Sequence, residues 1–136
     1  MFYLNSMFTR TTHNIKVTAT PHFLGDQSSP AESHFVWAYT IELENLGDAP
    51  VQLINRHWHI TDAQGLVTEV RGAGVIGEQP VLNPGDAFRY TSGTALATPS
   101  GIMLGEYEMR APDGSLFEIA IPAFSLDSPY EAVRLN

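Results

Sequence analysis

The chain has no cysteine. Disulfides, cysteine-based zinc sites and thiol catalysis are therefore excluded. Basic residues are scarce: seven lysines and arginines stand against fifteen aspartates and glutamates, for a net charge of −8. A nucleic-acid groove draws its affinity from basic side chains set against phosphates, so nucleic acid is not an expected partner, and neither is an anionic membrane surface. Long apolar runs are missing as well, and none approaches the ~20 residues of a membrane-spanning helix. The opening residues, MFYLNSMFTR, lack the basic start and apolar stretch of a secretory signal, and the reading places the chain in the cytoplasm. No segment carries a sustained apolar stripe of helical period.

What is present is regular punctuation. Turn signals fall at Asn45-Leu46-Gly47-Asp48, Asp62-Ala63-Gln64-Gly65, Asn83-Pro84-Gly85-Asp86, Pro99-Ser100-Gly101 and Pro112-Asp113-Gly114. Between them the hydrophobic pattern has period two, the mark of half-buried strands. Strands are expected over residues 13–24, 35–44, 51–61, 66–70, 87–92, 102–110 and 116–121, with 123–126 continuing along an edge after Pro122. Phe35, Trp37, Tyr39, Ile41 and Leu43 form one inward face. Ile54, Trp58 and Ile60 form another, which Arg56 interrupts, so a bulge or a paired buried charge is expected there. Met103, Gly105, Tyr107 and Met109 share a third face, and a glycine in mid-strand signals a close neighbour. With 136 residues, 43% of them hydrophobic and 16% charged, the chain suits one domain that buries roughly two thirds of its unfolded surface. The expected fold is all-β: an immunoglobulin or fibronectin type III-like β-sandwich of about seven strands. Residues 13–136 form that domain, residues 1–12 a flexible N-terminal arm, and the tail from Asp127 is irregular.

Residues 72–77 read GAGVIG, a match to the phosphate-binding spacing G-x-G-x-x-G. In a dinucleotide site these glycines open a helix, whose N-terminus meets the pyrophosphate. Here Glu78-Gln79-Pro80-Val81-Leu82-Asn83-Pro84-Gly85 follows, and two prolines forbid a useful helix. No Gly-Lys-Ser/Thr follows either, so it is not a P-loop. Two readings remain. The glycines shape a long inter-strand loop through positive φ or close approach. Alternatively, Gly72, Gly74 and Gly77 present backbone N–H groups as an anion-binding nest, with Arg71 beside them.

Further along and around this loop the chain is similar to a known family. Arg56-His57-Trp58-His59-Ile60-Thr61-Asp62, then VRGAGVIGEQPVLNPGDAFRYTSGTAL at 70–96 and GIMLGEYEMRAPDGSLFEIAIPAFSLDSP at 101–129, resemble the ApaG family in order and spacing. The resemblance implies a fibronectin type III-like sandwich. It implies bacterial genes beside a diadenosine tetraphosphate hydrolase and a ribosomal RNA methyltransferase, and a link to cobalt tolerance and magnesium efflux. Related eukaryotic domains are fused to F-box and polymerase-interacting proteins, which implies protein binding. It implies no accepted catalytic activity.

The residues themselves offer few chemical constellations. His57 and His59 are two apart on a strand and point the same way. With a carboxylate such as Asp62 they can form a partial metal site, but a polar strand face explains the pair equally well, and no resident metal or other cofactor is expected. Arg56 is expected to form an ion pair with Asp62 near the strand end; the alternative is that Arg56 binds an anion. Glu78 could act as a base, yet no nucleophile stands beside it in sequence. Ser92 lacks a nucleophile elbow. Trp37, Tyr39, Trp58, Tyr107 and Phe117 read as core. The expectation is a non-enzymatic binding or adaptor protein with a protein partner. The alternative is a small-anion or nucleotide (pyrophosphate) binder that uses Arg71, Gly72, Gly74 and Gly77.

Overall fold

A computed structural model describes residues 6–130. They form nine strands: β1 (Phe8–Thr12), β2 (Ile15–Phe23), β3 (Phe35–Asn45), β4 (Val51–Asp62), β5 (Val67–Ala73), β6 (Val81–Leu82), β7 (Ala87–Leu96), β8 (Gly101–Arg110) and β9 (Leu116–Leu126). No helix of the described residues is long and apolar enough to cross a membrane. One antiparallel sheet has the order β1-β2-β3-β7, and the other β5-β4-β8-β9, with β6 also pairing β4. The two sheets face each other as a fibronectin type III-like sandwich. Strand alternation dictates this packing: every odd residue of β3 from Phe35 to Asn45 is buried. Met103, Gly105, Tyr107 and Met109 of β8 turn inward together, as their spacing predicts.

Two details depart from the sequence reading. First, part of the expected arm is a strand. β1 pairs β2 from Phe8↔Ala19 to Thr12↔Ile15, and the two-residue turn His13-Asn14 has positive φ at both positions, the backbone that tight hairpins demand. Residues 1–5 lie outside the described residues, as do 131–136 of the tail. Second, the bulge of β4 lies at Ile54, between Leu53 and Asn55. One extra residue flips side-chain parity, so Val51 and Leu53 are buried before it, and Trp58 and Ile60 after it. As expected, β9 continues past Pro122 along an edge to Leu126. A register shift opposite Met103–Gly105 absorbs the proline, whose missing N–H suits a bulged edge strand.

The core carries one polar knot. Tyr90 of β7 and Tyr107 of β8 share a hydroxyl–hydroxyl hydrogen bond of 2.5 Å across the sandwich. Burial pushes both phenols above their ordinary value of 10.0. Burial raises Tyr39 too, against the opposing hydrogen bond with Ser92. A phenol that ionises less readily folded than unfolded gives stability that is intact below pH 10 and lost as pH rises beyond it. Each such phenol removes up to ~1.4 kcal/mol per pH unit there. Urea melts should therefore lose stability steeply above pH 10. Three of the five tyrosines should resist ionisation in the folded chain by absorbance. Five tyrosines ionising together near pH 10 in the folded state would contradict this core.

Candidate functional site

β4 runs through the middle of the second sheet, and its outward residues after the bulge are Asn55, His57, His59 and Thr61. Pairing places Arg71 of β5 and Glu106 of β8 on either side of His57. It places Glu69 and Leu104 on either side of His59. The sequence thus builds a cross-strand grid on one face. His57 Nδ1 lies 2.6 Å from Glu106 Oε1, and His57 Nε2 lies 2.8 Å from Glu69 Oε1. His59 stands 3.9 Å from each glutamate, Nδ1 toward Glu69 and Nε2 toward Glu106. The two imidazole centroids are 4.2 Å apart. Arg71 Nη2 lies 3.5 Å from Glu69 Oε1 on the solvent side. A depression of about 400 Å³ lies beside the cluster, where Asn55, His57, Glu106, Glu108 and Glu118 meet Arg56, Arg71, Gly72 and Ala73. Asn55 Nδ2 donates to Glu108 there at 2.7 Å.

The glycine loop borders this depression through Gly72 and Ala73, at the end of β5. Gly72 is the penultimate residue of β5, and a Cβ there would stand 2.8 Å from both terminal nitrogens of Arg56. Arg56 turns to the inner side and donates to the carbonyls of Ala73 (3.1 Å) and Gly74 (2.8 Å). The loop therefore turns carbonyl oxygens to the cation beneath it. Gly74 N–H donates to Ile54 O at 2.8 Å, while Val75 and Glu78 exchange backbone bonds of 2.8 and 2.9 Å. Between them Ile76 and Gly77 make the turn with positive φ. The Gln79 side chain also donates to Ile54 O, at 2.9 Å, and Leu53 N–H donates to Pro80 O. Loop and bulge are built for each other: the extra residue of β4 frees a carbonyl, and the loop supplies its donors. Arg71 projects from the opposite face of β5, toward Glu69.

The expected Arg56–Asp62 pair is not formed. Among the described residues no carboxylate lies within ion-pair distance of Arg56. Asp62 instead accepts Gln64 N–H and Leu66 N–H through Oδ1 and shapes the β4–β5 turn. It does not join the histidines. Their carboxylates come from Glu69 and Glu106.

The ApaG domain family model matches residues 25–111, well over half of the chain, and that segment holds both histidines, both glutamates and the whole glycine loop. The chain belongs to the ApaG family. It is 64% identical to protein ApaG of Paramagnetospirillum magneticum over 130 residues, 96% of this chain and all of that protein. It is 58% identical to protein ApaG of Rhodospirillum centenum over the same shares. The crystal structure described as the ApaA protein of Bordetella pertussis superposes with a TM-score of 0.83. It is 44% identical and covers 88% of this chain and 97% of that one. The C-terminal domain of wzt, at 12% identity and a TM-score of 0.54, shares the fold alone.

In this ApaG chain the electrostatics of the grid centre on Glu69. The hydrogen bond from His57 holds its carboxyl below the ordinary range against slight desolvation, with His59 and Arg71 adding attraction. Each ring nitrogen of His57 thus faces one carboxylate oxygen. His57 and His59 were visible to sequence reading. Glu69 and Glu106 were not, because only strand register brings them there. The one usable signal was position: each lies on an outward row of a predicted or extended strand.

Proposed function

We propose that this chain is a non-enzymatic binding module that presents the outer face of the β5-β4-β8-β9 sheet to a protein partner. One observation carries the reading. Val67, Ile102 and Leu104 are 55%, 49% and 42% exposed on neighbouring strands of that face, around Thr61 and His59 in register. They adjoin the histidine–glutamate grid. Apolar side chains grouped beside fixed polar groups on a rigid sheet suit a protein contact. The pyrophosphate alternative has less support. Gly74, Val75 and Glu78 N–H already have internal acceptors, and Arg71 is drawn to Glu69.

The test compares proteins captured from the native host by wild type, by Leu104→Glu and by Gly77→Ala, with melts as fold controls. Leu104→Glu should keep its melting temperature and lose the specific captured species, while Gly77→Ala retains them. Equal capture by wild type and Leu104→Glu sinks the reading. Saturable shifts of the amides of residues 71–78 with micromolar pyrophosphate, lost in Arg71→Ala, would promote the anion-binding alternative.

A further inference from the structure

The grid around His57 has the composition and spacing of a coordination site. His57 Nδ1 and Glu106 Oε1 face one another, His59 Nε2 is 3.9 Å from that same oxygen, and one donor atom from each of the three residues fits within a 4.8 Å span. A divalent ion bound at about 2.0–2.2 Å by imidazole nitrogen and carboxylate oxygen holds its ligands roughly 3–3.5 Å apart. Closing a separation of 4.8 Å to that range takes shifts of roughly 0.7–0.9 Å per side chain. The backbones need not move, since His57 and His59 ride the central strand and Glu106 the strand hydrogen-bonded to it.

Glu69 supplies the independent second observation. It accepts from His57 Nε2, the ring nitrogen that points away from Glu106, at 2.8 Å. A carboxylate on the far nitrogen of a ligating imidazole fixes its tautomer and aims its lone pair at a metal. Among the described residues, no other group of three histidine or acidic side chains converges in this way.

We propose that His57 Nδ1, His59 Nε2 and Glu106 Oε1 bind one divalent first-row transition ion on the outer sheet face, with Glu69 as the positioning carboxylate. Two imidazoles and a carboxylate suit zinc, nickel or cobalt. They do not suit magnesium or calcium, which take oxygen ligands. The half-buried side chains leave the remaining coordination positions open to water or to a donor from another molecule. The ion takes the Nδ1 lone pair of His57, and a proton held there is released to solvent on binding. The two glutamate charges balance the ion. The proposal does not depend on the apolar patch or on any protein partner.

The experiment titrates the full chain with cobalt(II) and zinc(II) chloride by calorimetry. Cobalt absorption and paramagnetic broadening of the backbone amides are read alongside. One ion per chain is expected, with broadening centred on residues 57, 59 and 106. His59→Ala is the decisive variant: His59 makes no hydrogen bond in the grid, so its removal leaves the His57 bridges in place. It should weaken binding at least as much as Glu69→Gln, for which roughly a 10- to 100-fold loss is expected. Arg71→Ala should bind no more weakly than wild type. Absence of saturable binding, or an affinity unchanged in His59→Ala, overturns the site. Should the variant fail to fold, broadening of the wild type decides alone: signals lost elsewhere, with residues 57, 59 and 106 spared, refute it.

Discussion

Trp37→Ala is expected to cost about 3–5 kcal/mol, the range for large core aromatics. Trp37 is 1% exposed and stacks edge-on against its cross-strand neighbour Phe23 at 5.4 Å. Its indole N–H donates to Asp127 O at 2.7 Å, which ties the chain just past β9 to the opposite sheet. Alanine loses the packing, opens a cavity and leaves that carbonyl without its donor. The melting temperature should fall by roughly 10–20 °C for a chain of this size. Trp37→Phe separates the contributions: it keeps much of the ring packing and loses the hydrogen bond, so roughly 1–2 kcal/mol is expected. A melting temperature unchanged in Trp37→Ala would mean that β3 faces the other way.

Gly74→Ala should be the second large loss, about 2–4 kcal/mol. Gly74 has φ +63, and an added Cβ would meet Glu78 O at 2.2 Å. The left-handed backbone alone costs an alanine roughly 1–2 kcal/mol. The clash is with backbone, so relief must stretch the Gly74–Ile54 bond or the Val75–Glu78 pair, each worth about 0.5–1.5 kcal/mol. Gly77 is the control within the same loop. Its φ is +78 but nothing lies within 4 Å of its would-be Cβ, so Gly77→Ala should lose only the backbone part, about 1–2 kcal/mol. Urea melts without nucleotide measure both. Equal losses would show that Glu78 is not the obstacle and that the loop is held in some other way.

The glycine spacing illustrates what a sequence can and cannot say. G-x-G-x-x-G is also the spacing of a phosphate cradle, and only the prolines after it spoke against a helix. The purpose of each glycine became visible once Ile54 bulged, because Arg56 then turned under Gly72 and the loop capped the freed carbonyl. The inward rows of β3 and β8 were legible, since strict alternation over ten or so residues leaves one solution. The β4 row was half legible: Arg56 marked an irregularity, yet the extra residue lies two positions earlier. The β1–β2 hairpin was missed because His13-Asn14 carries none of the usual glycine signal for such a turn. The glutamates of the grid were out of reach for a different reason. Glu106 is 49 residues from His57, and no local pattern encodes which strands will be neighbours.

β1 is the outermost strand of its own sheet, and it also packs against β9, the outermost strand of the other. Phe8 meets Phe124 at 6.3 Å, and the Thr12 hydroxyl accepts the backbone N–H of Ala120 at 3.3 Å. An uncovered strand edge is a template on which a second chain can pair, and proteins guard such edges with prolines, bulges or a covering segment. β9 has all three: Pro122, its shifted register, and β1 laid alongside. The stretch that looks like an appendage in the sequence thus lies along an edge of the opposite sheet and leaves that edge less open to pairing.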